Sequence, residues 1–245
     1  MTDVVRIAMW SGPRNVSTAL MRSFGARGDA VVVDEPLYAH YLQVTGLEHP
    51  GRSETLERHE ADWRKVARDL TEGELPEGKT VTYQKHMAHH LLDGMQGAWL
   101  DRLTHAFLLR DPRAMLASLD AKYPNPTLAD TGLPQQAAIF DQVCEKLGET
   151  PPVVDAQDLL QNPRGILAQL CERLGLDFDE GMLSWEAGAR ETDGAWAPYW
   201  YASVNETTGF RPYQPSTAEL TPALDALLDE CLPLYEKLHA HRLQA

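Results

Sequence analysis

The chain has 245 residues, 43% hydrophobic and 24% charged, enough to bury the core of one large α/β domain and too apolar for a mostly disordered protein. Its formal net charge of −14 repels a nucleic-acid backbone and an anionic bilayer, so neither nucleic acid nor membrane insertion is expected, and an anionic ligand has to be held by a few local cations and backbone amides. Cys144, Cys171 and Cys231 lie far apart without disulfide-framework spacing, and no apolar run approaches the ~18 residues of a spanning helix, which together point to a reducing cytoplasm.

Residues 4–10 read as a short buried strand, followed by the turn Ser11-Gly12-Pro13-Arg14-Asn15 and a helical pattern from residue 17 to about 26. Residues 30–33 repeat the strand signal and stop at Asp34-Glu35-Pro36; residues 53–70 are charge-rich and read as one exposed helix. Residues 80–83 and 105–109 supply two more strands, each followed by polar and then helix-like sequence. A fifth strand, 153–156, leads into a helix over about 163–174, where Ile166, Leu167, Leu170, Cys171 and Leu174 recur at helical spacing. Residues 185–215 are dense in aromatics among Gly and Pro and read as a lid, an acceptor loop, or a long loop packed onto the body. A helix over about 217–239 closes the chain. This alternation predicts one domain over residues 1–245, α/β and three-layered, with a central parallel sheet of about five strands flanked by helices.

In such sheets, ligands gather beyond the carboxyl ends of the strands, where a following helix offers unpaired N–H groups. Residues 11–18 occupy such a junction. The ATPase loop G-x-x-x-x-G-K-[ST] is not met, because Ser17 and Thr18 stand where the second Gly and the Lys belong, and magnesium–nucleotide chemistry is disfavoured. A Ser/Thr-rich helix start also serves as an ordinary cap.

Pro13-Arg14-Asn15-Val16-Ser17-Thr18 resembles the 5'-phosphosulfate loop, commonly P-K-S-G-T-T, of sulfotransferases that use 3'-phosphoadenosine-5'-phosphosulfate (PAPS), with Arg14 in place of the Lys. A guanidinium keeps the charge but offers a planar fork, which suits electrostatic stabilisation better than proton donation. His105 to Ser118 is similar to the family pattern R-D-P-R-x-x-x-x-S at Arg110, Asp111, Pro112, Arg113 and Ser118, and the resemblance assigns the 3'-phosphate to Arg110 and Ser118. Without it, Arg110 reads as half of a structural ion pair. Residues 153–176 resemble the segment Y-E-D-L…D-P…L-G-L, although Ala156 stands where the Tyr beside the adenine would be. Arg211 aligns with a later Arg of the 3'-phosphate site. The resemblance spans about residues 4–176 and implies a P-loop NTPase-like fold, PAPS as donor, PAP as product, and a small-molecule acceptor; cofactor-binding residues are Arg14, Asn15, Val16, Ser17, Thr18, Arg110, Ser118 and Arg211.

Sulfuryl transfer needs in-line placement, cations around the sulfuryl oxygens, and a base for the acceptor hydroxyl or amine, with no metal required by that logic. Asp34-Glu35-Pro36-Leu37-Tyr38 resembles the E-P-L-W stretch of carbohydrate sulfotransferases, which makes Glu35 the first choice for base; a capping or ion-paired carboxylate is the plainer alternative. Gln84-Lys85-His86-Met87 resembles K-T-H of cytosolic members. It nominates Lys85 to contact the sulfuryl group and His86 as second candidate base, displaced by one position because Met87 stands at the motif's His. His86, His89 and His90 contain H-x-x-H spacing but lack a carboxylate or Cys partner at motif spacing, so surface or packing roles are expected rather than a metal site. The competing function classes are a P-loop small-molecule kinase using ATP and magnesium, and a nucleotide-binding protein without turnover.

Overall fold

The first strand, β1, runs from Val5 to Ser11 and is buried on both faces: Ile7 and Met9 enter one apolar cluster, Ala8 and Trp10 another. Alternation along a strand sends successive side chains to opposite faces, so this segment requires a covering layer on each side. The computed structural model describes residues 4–245; Met1, Thr2 and Asp3 lie outside the described residues.

In chain order, β1 is followed by α1 (Ser17–Gly25), β2 (Ala30–Asp34), α2 (Tyr38–Thr45), α3 (Arg52–Arg58), α4 (Trp63–Glu72) and β3 (Val81–Met87). Then come β4 (Thr104–Leu109), α5 (Pro112–Asp120), α6 (Leu133–Leu147), β5 (Val153–Asp155), α7 (Ala156–Gln161) and α8 (Pro163–Arg173). Two short helices, α9 (Ala197–Trp200) and α10 (Ala202–Asn205), precede α11 (Pro222–His239). The five strands form one sheet in the order β2-β3-β1-β4-β5, every pairing parallel, with Met9 opposite Lys85 and Ala106. This is the expected α/β architecture.

One face of the sheet packs against α1, α2, α7 and α8 through Leu20, Phe24, Leu42, Leu159, Ile166 and Leu170. The other packs against α4, α6 and the end of α11 through Val66, Leu70, Ile139, Phe140 and Leu238. Cys171 and Cys231 are buried free thiols in separate clusters.

The largest departure from the sequence reading is β3, which continues through Met87. Thr82, Gln84 and His86 are polar yet almost fully buried, and Gln84 Nε2 donates to the Leu70 carbonyl at 2.9 Å. Polar residues end a strand signal in sequence; satisfied hydrogen bonds let them stay inside one. The single helix expected over 53–70 is two, broken before Asp62, whose side chain caps α4 by accepting from Arg64 N. Helix α6, absent from the reading, is bounded by Gly132 and Gly148, both left-handed at φ 71° and 69°.

Residues 185–205 are fastened to α1. Arg22 donates to both carboxylate oxygens of Asp193, at 2.5 and 2.7 Å, with the two side chains only 3% and 4% exposed. Breaking a buried pair leaves an uncompensated charge and costs ~3–5 kcal/mol. Asp193→Ala is therefore expected to lower unfolding free energy by about that amount in urea titration, and Arg22→Met with Asp193→Leu to recover most of it; a loss below ~1 kcal/mol for the single variant contradicts this.

Candidate active site

Two strand ends carry strained residues. Among the described residues, Arg14, Glu35 and Asn125 are the non-glycine positions with positive φ; Arg14, at 55°, lies in the loop after β1, and Glu35, at 38°, follows β2 directly. Side chains other than Gly adopt this region at a cost, and such strain concentrates at functional sites.

The loop after β1 is pressed against neighbouring backbone: a Cβ on Gly12 would lie 2.4 Å from the Thr131 carbonyl oxygen. Asn15 accepts from Val16 N at 2.8 Å and donates to the Leu108 carbonyl at 3.1 Å, tying the loop to β4. Helix α1 then begins with no side-chain cap and no acidic residue in its first turn, so the first-turn N–H groups have no helix partner. Arg110, at the end of β4, donates to the Arg14 carbonyl, and Arg14 Nε donates to Ser118 Oγ at 3.0 Å. Burial lowers the pKa of both guanidiniums, and for Arg110 the nearby Arg14 charge adds to it. Among the described residues neither has a carboxylate within ion-pair distance. Two adjacent, half-buried, unpaired cations form a place for an anion.

Beyond the end of β2, Asp34, Glu35, Lys85 and Tyr201 form one buried cluster. Lys85 Nζ donates to Asp34 Oδ1 at 2.9 Å, to Tyr201 Oη at 2.8 Å, and to Glu35 Oε1 in a shorter contact. Tyr201 Oη in turn donates to Asp34, 2.8 Å from each carboxylate oxygen, and Gly194 N donates to Asp34 Oδ2 at 3.0 Å. Burial alone would lower the Lys85 pKa, but Asp34 and Glu35 hold it well above the ordinary value. Burial raises the Glu35 pKa, Lys85 pulls it back, and Asp34 pushes it up again; the net direction is upward.

These two regions open onto adjoining cavities that share Arg14, Asn15, Thr18, Trp200 and Tyr201. One, of ≈ 230 Å³, is lined also by Val16, Arg110 and Arg211. The other, of ≈ 210 Å³, is walled by Ser17, Glu35, Lys85, His90 and the aromatic rings of Tyr38, Tyr41, Tyr123 and Trp196. The structure thus brings together Arg14, Asn15, Val16, Ser17, Thr18, Glu35, Lys85, Arg110 and Arg211. Arg211 is exposed and bound to Ser203 and Glu206. Ser118 lines neither cavity and reaches the site only through Arg14.

Two of the expected roles do not fit this geometry. His86 lies on the opposite face of the sheet from Lys85, because adjacent strand residues alternate. It stacks on Trp10 at 4.3 Å, its Nε2 meets Gln84 Oε1 at 3.3 Å, and burial lowers its pKa to about 3, so it reaches neither cavity. Lys85 has all three N–H donors engaged within the cluster, leaving none for a sulfuryl oxygen while Glu35 and Asp34 stay bound. Tyr201 and His90 were missed as site residues; their only sequence signals are the aromatic density of 185–215 and the histidine run after β3.

A family model for the sulfotransferase domain matches residues 5–242, and the chain belongs to that family. Two curated proteins of Arabidopsis thaliana, branched-chain-amino-acid aminotransferase-like proteins 1 and 2, are 38% and 37% identical over 98% and 96% of this chain. The chain spans only 43% and 41% of their lengths. Among solved structures, the sulfotransferase domain of the Synechococcus PCC 7002 olefin synthase superposes with a TM-score of 0.54 at 18% identity, covering 93% of this chain and 95% of that one. A sulfotransferase from Alicyclobacillus acidocaldarius gives 0.52 at 15% identity, covering 98% and 96%. Both share the fold.

Lys85→Met is expected to destabilise the protein by ~3–5 kcal/mol near neutral pH, since it strands buried carboxylates. It also changes the pH dependence. Removing Lys85 lifts the Glu35 pKa further above its unfolded value, so the folded state holds the extra proton and stability falls as pH rises through the interval between the two values. Urea unfolding at pH 5 and pH 8 should show a wild-type-to-variant gap that is wider at pH 8; an equal gap contradicts the coupling.

Proposed function

We propose that this protein transfers a sulfuryl group from PAPS to a hydroxyl or amine of a small acceptor, as a single domain in which residues 185–215 wall the site. The observation that carries this reading is the pair of cavities meeting at residues 14–18, with unpaired Arg14 and Arg110 on one side and the Glu35 carboxylate on the other. The nucleotide occupies the cavity of Arg110 and Arg211, its 3'-phosphate on Arg110. Its phosphosulfate lies across the N-terminus of α1, which favours an anion through its free N–H groups and partial positive charge. The sulfuryl group then points into the second cavity, where Arg14 balances charge on its oxygens.

In that cavity the aromatic walls select a small, flat or apolar acceptor, and Glu35 supplies the base. A carboxylate raised toward neutrality by burial is better matched to proton abstraction than an ordinary one. Asp34, Lys85 and Tyr201 hold it in place, and Lys85 enters this reading as the partner of Glu35 rather than of the sulfuryl group. The family membership supports sulfotransfer; the aminotransferase-like name of the plant relatives belongs to proteins more than twice this length.

The donor is tested by calorimetric titration of PAP and AMP without magnesium. Wild type should prefer PAP, and Arg110→Ala should weaken PAP by roughly ten- to a hundred-fold while leaving AMP nearly unchanged, as expected for a lost hydrogen bond to a charged group. Equal weakening of both nucleotides makes Arg110 structural. With labelled PAPS and an acceptor panel of phenols, alcohols and amines, kcat/KM should rise with pH along an acid limb lying above the ordinary carboxylate range, and Glu35→Gln should cut turnover ~10²–10⁴-fold with PAP affinity retained. Full turnover in Glu35→Gln removes it from the reaction.

A further inference from the structure

His90 stands on the wall of the aromatic cavity, in the 3-10 turn Ala88–His90 that follows β3. Its ring stacks on Tyr38, nearly parallel at 4.6 Å and 9°, and lies against Tyr41 at 4.7 Å and 31°. It is 3% exposed, and its Nδ1 is sealed from solvent with no hydrogen-bond partner among the described residues. The atom faces Glu35 Oε2 at 3.9 Å. That separation is beyond a hydrogen bond and too small to admit a bridging water, so a small inward shift of either side chain makes the bond directly. Glu35 Oε1 is held by Lys85, which leaves Oε2 as the oxygen turned to the ring.

His89 differs in the respect that matters. Its Nδ1 is also unpartnered, but it packs against backbone: a Cβ on Gly132 would come within 3.3 Å of it, and among the described residues no carboxylate comes within ion-pair distance, Asp130 acting on it only from further away. His49 is engaged by Tyr38 Oη at 2.9 Å, and His86 is on the far side of the sheet. Among the described residues, His90 is the cavity histidine with a carboxylate within ion-pair distance, Glu35 at 3.9 Å.

We propose that His90, backed by Glu35, is the residue that takes the proton from the acceptor. This rests on the sulfotransferase reading above and deepens it: Glu35 acts through the imidazole. The Nδ1–H is directed at Glu35 Oε2, which fixes the tautomer and leaves the Nε2 lone pair for the acceptor, the arrangement of a base oriented by a third group. As the acceptor oxygen or nitrogen bonds to sulfur, the bridging sulfur–oxygen bond to the nucleotide breaks and its electron pair leaves on PAP. The acceptor proton passes to Nε2 as the Nδ1 proton passes to Glu35 Oε2, so the ring stays neutral and the proton ends on Glu35. Burial, with the charges of His89 and Lys85, holds the His90 pKa well below its ordinary value, so the free ring is neutral and the lone pair available.

The test begins with 15N-histidine NMR of the full chain, which needs no acceptor. Assigned by comparison with His90→Gln, the His90 ring should be the neutral Nδ1–H tautomer, and its 15N shifts should move in Glu35→Gln. An Nε2–H tautomer, or shifts indifferent to Glu35→Gln, overturns the proposal. The second arm uses PAPS and a phenol probe, 4-nitrophenol. His90→Ala should lose ~10²–10⁴-fold in kcat. PAP affinity should be retained and free imidazole should restore part of the rate; a merely structural ring gives no rescue. Wild type that fails to bind PAP defeats the sulfotransferase reading, while the NMR outcome still decides whether Glu35 and His90 form a pair.

Discussion

A buried ammonium determines much of what surrounds it. Lys85 projects from the middle of the sheet into a place 1% exposed to solvent, and an unpaired charge there is prohibitive. Asp34, one strand away and directly opposite in register, supplies the first counter-charge, and Glu35 the second. Burial drives the Glu35 pKa upward, and with two carboxylates against one cation the Asp34 charge adds to that rise while Lys85 opposes it without cancelling it. A carboxylate poised in that way at the end of a strand, beside a cavity, is a chemical resource as well as a structural element.

The same cluster recruits a distant part of the chain. Asp34 accepts from Tyr201 Oη and Gly194 N, so residues 194–201 are pinned over the strand ends by the charges that the strands bury. The Arg22–Asp193 pair fastens the same segment to α1. Trp196, Trp200 and Tyr201 consequently become walls, with Trp200 and Tyr201 common to both cavities. On the proposed reading, this segment is where nucleotide and acceptor meet.

Electrostatic contrast makes the arrangement specific. In a chain of net charge −14, Arg14 and Arg110 are held side by side with no carboxylate within ion-pair distance among the described residues, close to the uncapped start of α1. The repulsion between them is tolerated because Arg110 spends one N–H on the Arg14 carbonyl and Arg14 spends one on Ser118. An anion bridging them relieves that repulsion, whereas the net negative charge of the chain turns away extended polyanions.

Local pattern determined β1 and α1 at the two ends of the loop, the junction at residues 11–18, and the Asp111 cap that starts α5, because apolar periodicity and capping chemistry act over a few residues. It also brought Arg14, Arg110 and Glu35 forward, through motifs that are contiguous in the chain. Which face a side chain occupies depends on where a strand ends, and the buried polar residues of β3 hid that end. His86 therefore read as a site residue when alternation places it behind the sheet, and Lys85 read as a free cation when three partners already hold it. The proximity of His90 to Glu35, 55 positions apart by their numbers, and the hydrogen bond of Tyr201 to Asp34 leave no local trace. Only the tertiary fold decided those contacts, since they follow from the burial of charge and not from any periodicity of the chain.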